Sequence, residues 1–384
     1  MRFSPPFYGE EEILSAAECI KNGWTGSGGK VLEFEKLVKE NNGFDNAIAV
    51  SSCTAALFLS LKAIGIGEGD EVITTAMTFC STVNVILHVG AKPILCDIDP
   101  KTKNINPNEI AKKINKKTKA IIPVHYTGYP CDMDSIMKIA NENKIHVIED
   151  CAHAFETYYK GKRCGSFGTV GCYSFYATKN IAIGEGGMVV TNNSEIAKKI
   201  RIMSLHGLSK DAWKRFMGNQ KRSYDVIEIG YKFNMTDIQA SIGICQIKKL
   251  KKMTLLRKKI WDTYMSSINN EEICLPIIPE EESSNHAMHL FNIGLPKYID
   301  RDKFLEKANI NYEIVFGIHY KSITSFTIYK DLKLFNNSNE LKYSNAWGNR
   351  NLSLSISPAV TDNEVEKTIE VLNYLLKDPE IRIS

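Results

Sequence analysis

The sequence predicts an α/β protein: a large domain built on a mostly parallel sheet, then a smaller α+β domain. Three observations carry this. From Asn46 to Glu149, short apolar runs of strand length alternate with stretches of helical periodicity. That alternation places helices on both faces of a parallel sheet. From Met235 a helical pattern runs to about Ser266 and carries the chain away from the sheet; beyond it the elements are shorter and less regular. The expected division is 14–245 and 246–384, with residues 1–13 packing on the second part.

In order, Glu10 to Lys21 is a short helix, and Trp24-Thr25-Gly26-Ser27-Gly28-Gly29 a loop. Val31 to Asn41 repeats apolar residues at helical spacing. Ala47-Ile48-Ala49-Val50 is a buried strand, and Ser51-Ser52-Cys53-Thr54 leads from it into a helix, Ala55 to Ile64. Strands over Glu71–Thr75, Ala91–Cys96, Ala120–Val124 and Ile145–Glu149 alternate with helices over Cys80–Val89, Pro107–Ile114 and Met133–Asn143. Val170 to Phe175 is β-rich and apolar on both faces, and Gly186-Gly187 opens a second such run, Met188-Val189-Val190. Ile196 to Met203 is a helix, and Ser204 to Gly230 a long polar loop. The tail holds a strand, His289 to Leu295, and a last helix, Asn363 to Leu376.

Composition narrows the function. With 384 residues, 43% hydrophobic and 24% charged, the chain reads as soluble and globular. A net charge of +4 gives no reason to expect nucleic acid or an acidic membrane as partner. The basic runs Lys112–Lys119 and Lys248–Lys259 have no interleaved aromatics and read as solvated helix faces. None of the ten cysteines forms a C-x-x-C pair, so no metal site is expected. The start has no apolar signal region and no stretch is long enough to span a bilayer. A reducing cytoplasm is the expected location.

The chemistry centres on Ser174-Phe175-Tyr176-Ala177-Thr178-Lys179-Asn180, which runs on to Gly184-Glu185-Gly186-Gly187. One lysine sits between two strands among small and apolar residues. Desolvation lowers the pKa of such an amine and frees its lone pair to attack a carbonyl. Reaching neutrality requires a shift of about three units, roughly 4 kcal/mol. Pyridoxal phosphate needs such a lysine, an acid at its pyridine nitrogen, a phosphate cradle and a flat partner for its ring.

Each has a candidate after a predicted strand, where ligands of open parallel sheets sit. Asp150 ends Ile145–Glu149, and His153, three residues on, could donate to the ring's phenolic oxygen. Thr54 opens a helix whose free N–H groups and dipole favour an anion, and Ser174 offers a second hydroxyl. Phe79 follows another strand and could lie against the ring. Singly, each has an ordinary reading as a turn lysine, a strand-end cap, an N-cap or a core aromatic. Gly65-Ile66-Gly67-Glu68-Gly69 hints at a dinucleotide-binding oxidoreductase, but it follows a helix and precedes a strand, the wrong order for that fingerprint.

These residues lie in segments that resemble the DegT-type sugar aminotransferases, fold type I pyridoxal-phosphate enzymes acting on nucleotide-linked keto-sugars. The likeness runs through Trp24-Thr25-Gly26-Ser27-Gly28, Ser51-Ser52-Cys53-Thr54-Ala55-Ala56-Leu57 and Pro123-Val124-His125-Tyr126. It continues in Glu149-Asp150-Cys151-Ala152-His153-Ala154, the Lys179 segment, His206-Gly207-Leu208-Ser209 and Gly230-Tyr231-Lys232-Phe233-Asn234-Met235-Thr236-Asp237-Ile238-Gln239-Ala240. The resemblance implies that Lys179 bonds the cofactor and shuttles the proton. It implies that Asp150 pairs with the pyridinium, that Cys53, Thr54 and Ser174 hold the phosphate, and that Phe79 stacks on the ring. It also implies a homodimer with shared active sites, in which Lys232 or Asn234 of one subunit reaches the other's phosphate. Substrate contacts are expected from Trp24, Tyr176, His319 and Tyr320.

Four positions depart from the family pattern. Cys53 stands where glycine or alanine is usual, Tyr176 where histidine is frequent, Lys232 where many members have asparagine, and Asn234 where many have arginine. The implied reaction passes an amino group from glutamate, through the amine form of the cofactor, to a keto group of a nucleotide-linked deoxysugar. A 4-keto-6-deoxy hexose or hexosamine is the expected acceptor, in surface-glycan or antibiotic-type sugar biosynthesis. Related dehydratases carry histidine in place of the lysine, so Lys179 favours the transferase. The paired Lys179 and Asp150 likewise weigh against an idle cofactor-binding regulator.

Overall fold

The computed structural model describes residues 3–209, 225–335 and 340–383. Part of the loop expected over Ser204–Gly230, residues 210–224, lies outside them. The large sheet is built from β1 (Asn46–Val50), β2 (Glu71–Thr75), β3 (Lys92–Cys96), β4 (Thr118–Ile122) and β5 (His146–Asp150). A small ribbon, β6 (Tyr158–Tyr159) with β7 (Lys162–Arg163), interrupts before β8 (Val170–Ser174) and β9 (Gly187–Thr191) complete it. The order across the sheet is β1-β9-β8-β5-β4-β2-β3.

Pairings from β8 to β3 are parallel, and β9 alone runs against both its neighbours. Parallel neighbours end on the same edge, so Asp150 closes β5 beside Cys172 of β8. The reversal at β9 leaves residues 175–186 as a loop over that edge. Lys179 is in this loop.

Alternation along the strands feeds two cores. Ile48, Val50, Cys172 and Val189 join the helix Cys53–Ala63 in one apolar cluster. Ala47, Ala49, Tyr173, Met188 and Val190 face the other way, onto Phe34, Val38 and Ile244. A third cluster is built wholly from residues 260–381, around the short pair β10 (Phe291–Gly294) and β11 (Asn351–Leu354). The first residues lie against this part too: Ser4 N–H donates to Ser355 Oγ at 3.1 Å.

The helix expected from Met235 to Ser266 is two helices, Asp237–Lys248 and Leu250–Ser267. Lys249 breaks it with φ −102° and ψ 8°. The reason is where each half buries its stripe. Ile244 and Ile247 enter the sheet cluster, while Ile260, Trp261 and Tyr264 enter the third. One straight rod cannot aim a single stripe at both, so the axis turns between them.

β1 is a sheet edge, and its outer side is occupied by side chains. Glu35 accepts from Ala49 N–H at 2.8 Å, and Arg201 donates to both carboxylate oxygens of Glu35 and to Ala47 O. Charged groups on an edge strand block pairing with another chain. Glu35→Ala should lower the unfolding free energy in urea by about 2 kcal/mol, because it strands a buried N–H and its ion-pair partner. Glu40→Ala, which loses only the exposed pair with Lys36, should stay within about 0.5 kcal/mol of the parent.

Candidate active site

A cavity of about 480 Å³ opens at the carboxyl edge of the sheet. Its wall includes Cys53, Thr54, Phe79, Asp150, His153, Ser174, Tyr176, Lys179, His319 and Tyr320. Trp24, Lys232 and Asn234 are not among its lining residues. Trp24 is half-exposed on the loop after the first helix, and Lys232 is exposed. The Asn234 amide is held locally, donating to Ser27 Oγ at 2.6 Å.

Asp150 is 4% exposed. Its Oδ2 accepts from Thr82 Oγ1 at 2.9 Å and its Oδ1 from Ala152 N–H at 3.1 Å. Burial raises its pKa; those two donors and the Lys179 charge pull the other way. Nothing in the sequence singled out Thr82, since a buried threonine one turn into a helix reads as core.

The Lys179 amine reaches the same space. Burial drops its pKa to about 8, against the opposing pull of Cys53 and Asp150. The ammonium therefore stays the majority form at pH 7, but a usable neutral fraction exists there. The loop is held by Lys179 N–H donating to Tyr176 O at 2.9 Å.

The helix beginning at Cys53 aims its N-terminus at the cavity, with Ser52 as N-cap accepting from Ala55 N–H at 3.1 Å. Thr54 is exposed there, and Ser174 ends β8 nearby. The Cys53 thiol turns back and donates to Cys172 O at 3.5 Å, so its bulk enters the core. β9 must pass close beneath: a Cβ on Gly187 would lie 2.4 Å from Ser52 C and O.

Phe79, 55% exposed, presents its ring to the opening, 5.7 Å from that of Tyr320. His153 is buried, and its Nδ1 accepts from Thr127 N–H at 3.2 Å. The ring proton is then on Nε2, which donates to Tyr320 Oη at 2.8 Å. Burial, then the Lys179 charge, hold His153 well below its usual pKa. His289 and Glu185 also line the cavity and were not anticipated. A single histidine opening a strand and a single glutamate in a glycine turn carry no pattern of their own.

His125, Glu149 and Cys164 lie together and bear metal-like donors. The Glu149 carboxylate, however, already accepts from Gly165, Phe167 and Gly168 N–H groups and faces His125 Nε2 at 3.1 Å. These contacts make it an internal brace. The open cavity, by contrast, fits pyridoxal phosphate: a buried carboxylate without a paired cation, a depressed amine and a helix N-terminus share one space.

Known proteins give the same picture. The model of the DegT/DnrJ/EryC1/StrS aminotransferase family matches residues 6–373. The chain is 46% identical to the uncharacterized protein MJ1066 of Methanocaldococcus jannaschii, covering 98% of this chain and 97% of that one. It is 40% identical to the spore coat polysaccharide biosynthesis protein SpsC of Bacillus subtilis, with the same coverage. Among solved structures, Spr1654 of Streptococcus pneumoniae, a candidate sugar aminotransferase in its PMP-form, superposes with a TM-score of 0.91 at 30% identity. That match covers 98% of this chain and 99% of the other.

Gly187→Ala should push the helix start off β9 and raise the dissociation constant for pyridoxal phosphate at least tenfold, about 1.4 kcal/mol. An absorbance titration reads this, with circular dichroism as the check on folding. Gly29→Ala, where an added Cβ meets nothing within 4 Å, should leave the affinity unchanged.

Proposed function

We infer the reaction from family membership: the chain belongs to the DegT/DnrJ/EryC1/StrS aminotransferase family and is a pyridoxal-phosphate-dependent sugar aminotransferase. We propose that it moves an amino group from glutamate to the keto group of a nucleotide-linked deoxysugar, a 4-keto-6-deoxy hexose or hexosamine. One observation carries the assignment of the site: Asp150 at the end of β5 and Lys179 in the loop after β8 open into one cavity. The polysaccharide pathway named for SpsC supports a glycan role. The ten cysteines, all free, suit a cytoplasmic setting. We place the boundary between the two parts at residues 245 and 246, a division supported by the separate cluster over 260–381.

Bound pyridoxal phosphate supplies the electron sink that stabilises a carbanion next to nitrogen. The chain supplies the rest. Lys179 Nζ, with its pKa near 8, would be the group that takes and returns a proton beside the nitrogen. Asp150, buried and short of a cation, would hold a proton on the pyridine nitrogen. The helix N-terminus at Cys53 and Thr54, with Ser174, would hold the phosphate, and Phe79 would lie against the ring. His153 Nε2–H already donates to Tyr320 Oη, so a bond from it to the phenolic oxygen would require Tyr320 to give up that contact. Tyr176, His319 and Tyr320 line the cavity, which supports them as the contacts to the sugar.

Lys232 is the better candidate for the contact across a homodimer. The Asn234 amide is spent on Ser27, whereas the Lys232 side chain is exposed beside it on the same segment. Trp24 lies outside the cavity of its own subunit, so a substrate contact from it also requires the second subunit.

Lys179→Ala should lose the visible absorbance of bound cofactor and all amine transfer when glutamate is offered with a panel of keto-sugar nucleotides. Retained colour or turnover would remove the assignment. Lys232→Ala should raise the cofactor dissociation constant about tenfold, as expected for one charge-assisted bond to phosphate. Asn234→Ala should change it less than threefold.

A further inference from the structure

We propose that His289 is a positioning residue for the Lys179 amine, locked by Asn180 in the tautomer that leaves Nε2 as a hydrogen-bond acceptor in the cavity. The proposal rests on the reading of Lys179 as the reactive amine.

The lock follows from donor and acceptor counting. Asn180 Nδ2 donates to Glu156 Oε2 and to Ala287 O, both at 2.8 Å. Two pure acceptors fix which way the amide points. Its Oδ1 then meets His289 Nδ1 at 3.0 Å. A carbonyl oxygen only accepts, so Nδ1 carries the ring proton and Nε2 carries a lone pair. That nitrogen has no protein partner among the described contacts, and the ring lines both the main cavity and a narrow cleft that Lys179 also lines.

The imidazole is kept neutral by its surroundings. It is 5% exposed and faces Lys179, His153, His319 and Arg257, with the His153 ring 4.5 Å away. Burial, then the Lys179 charge, depress its pKa, so it serves as a fixed acceptor and not as a base. The support behind it is stiff. Arg257 Nη2 donates to Asn180 O at 2.9 Å, its Nη1 lies 3.8 Å from Glu156, and Thr254 donates to Glu156. The residue after the reactive lysine is thus tied through both backbone and side chain to the helix Leu250–Ser267. An acceptor held this way favours the ammonium form of Lys179 and steers its N–H when the amine is not bonded to cofactor.

The test uses the full chain freed of cofactor, labelled with acetic anhydride between pH 6 and 10.5, with the Lys179 peptide quantified by mass spectrometry. The parent midpoint is expected near pH 8. His289→Phe should lower it by about one unit, since an acceptor that stabilises the charged form is lost. His289→Asn, polar but too short to reach, should lower it similarly and serves if the phenylalanine variant does not fold. His289→Gln, which keeps an acceptor at similar reach, should restore the parent midpoint. His286→Phe, a buried histidine outside the main cavity, should not move it. An unchanged midpoint in the Phe and Asn variants, or an equal fall in the Gln variant, overturns the role of His289. A parent midpoint near that of ordinary lysines would overturn the reading of Lys179 itself.

Discussion

Everything in the site depends on keeping two groups of opposite charge tendency away from water without letting them neutralise each other. An ammonium and a carboxylate in direct contact would satisfy each other, and neither would act on a ligand. Here Lys179 and Asp150 arise from different segments, the loop after β8 and the end of β5. Parallel pairing brings the two strand ends to one edge, and the reversal at β9 arches the lysine over it. Burial moves both groups toward their neutral forms, the amine down and the carboxyl up. A ligand that gives a cationic donor to the carboxyl group, or a carbonyl carbon to the amine, would relieve that desolvation.

The site is also where the two main bodies of packing meet. Phe79, Asp150 and Lys179 belong to the sheet side, whereas His289, His319 and Tyr320 come from beyond the helix break at Lys249. Arg257 reaches from the second helix of that pair to the backbone of Asn180. A buried arginine paired imperfectly with Glu156 is a poor stabiliser by itself. Its use is positional: it fixes the Lys179 loop relative to the segment that carries the histidines.

How much could be read beforehand follows the range of the interactions. The parallel strands and the residues at their carboxyl ends were legible, because period-2 and helical patterns are local. The run after Gly187 was legible as a strand, but its reversed direction was not, since it depends on pairing with β1 and β8. So were Lys179 and Asp150, each marked by its place after an apolar strand. Thr82 and His289 were not legible, since each acts through a partner far along the chain, Asp150 and Asn180. The break at Lys249 was hidden for a related reason. The basic run around it keeps helical spacing on both sides, and only the existence of two separate cores forces the turn.

The neighbours Glu149 and Asp150 show how satisfaction of lone pairs separates a brace from a reactive group. They are adjacent in β5, so they point to opposite faces of the sheet. Both are almost wholly buried. Glu149 meets three backbone N–H groups and His125, whose Nδ1 in turn accepts from Cys131 N–H at 3.0 Å. With one donor for each lone pair, it has nothing left to offer a ligand. Asp150 has two donors and an open cavity before it. Its remaining capacity is unmet inside the protein, and a buried acceptor left short is costly until something donates to it. A cationic N–H donor entering the cavity would meet that capacity, and the strand that holds Glu149 also fixes Asp150 at the cavity wall.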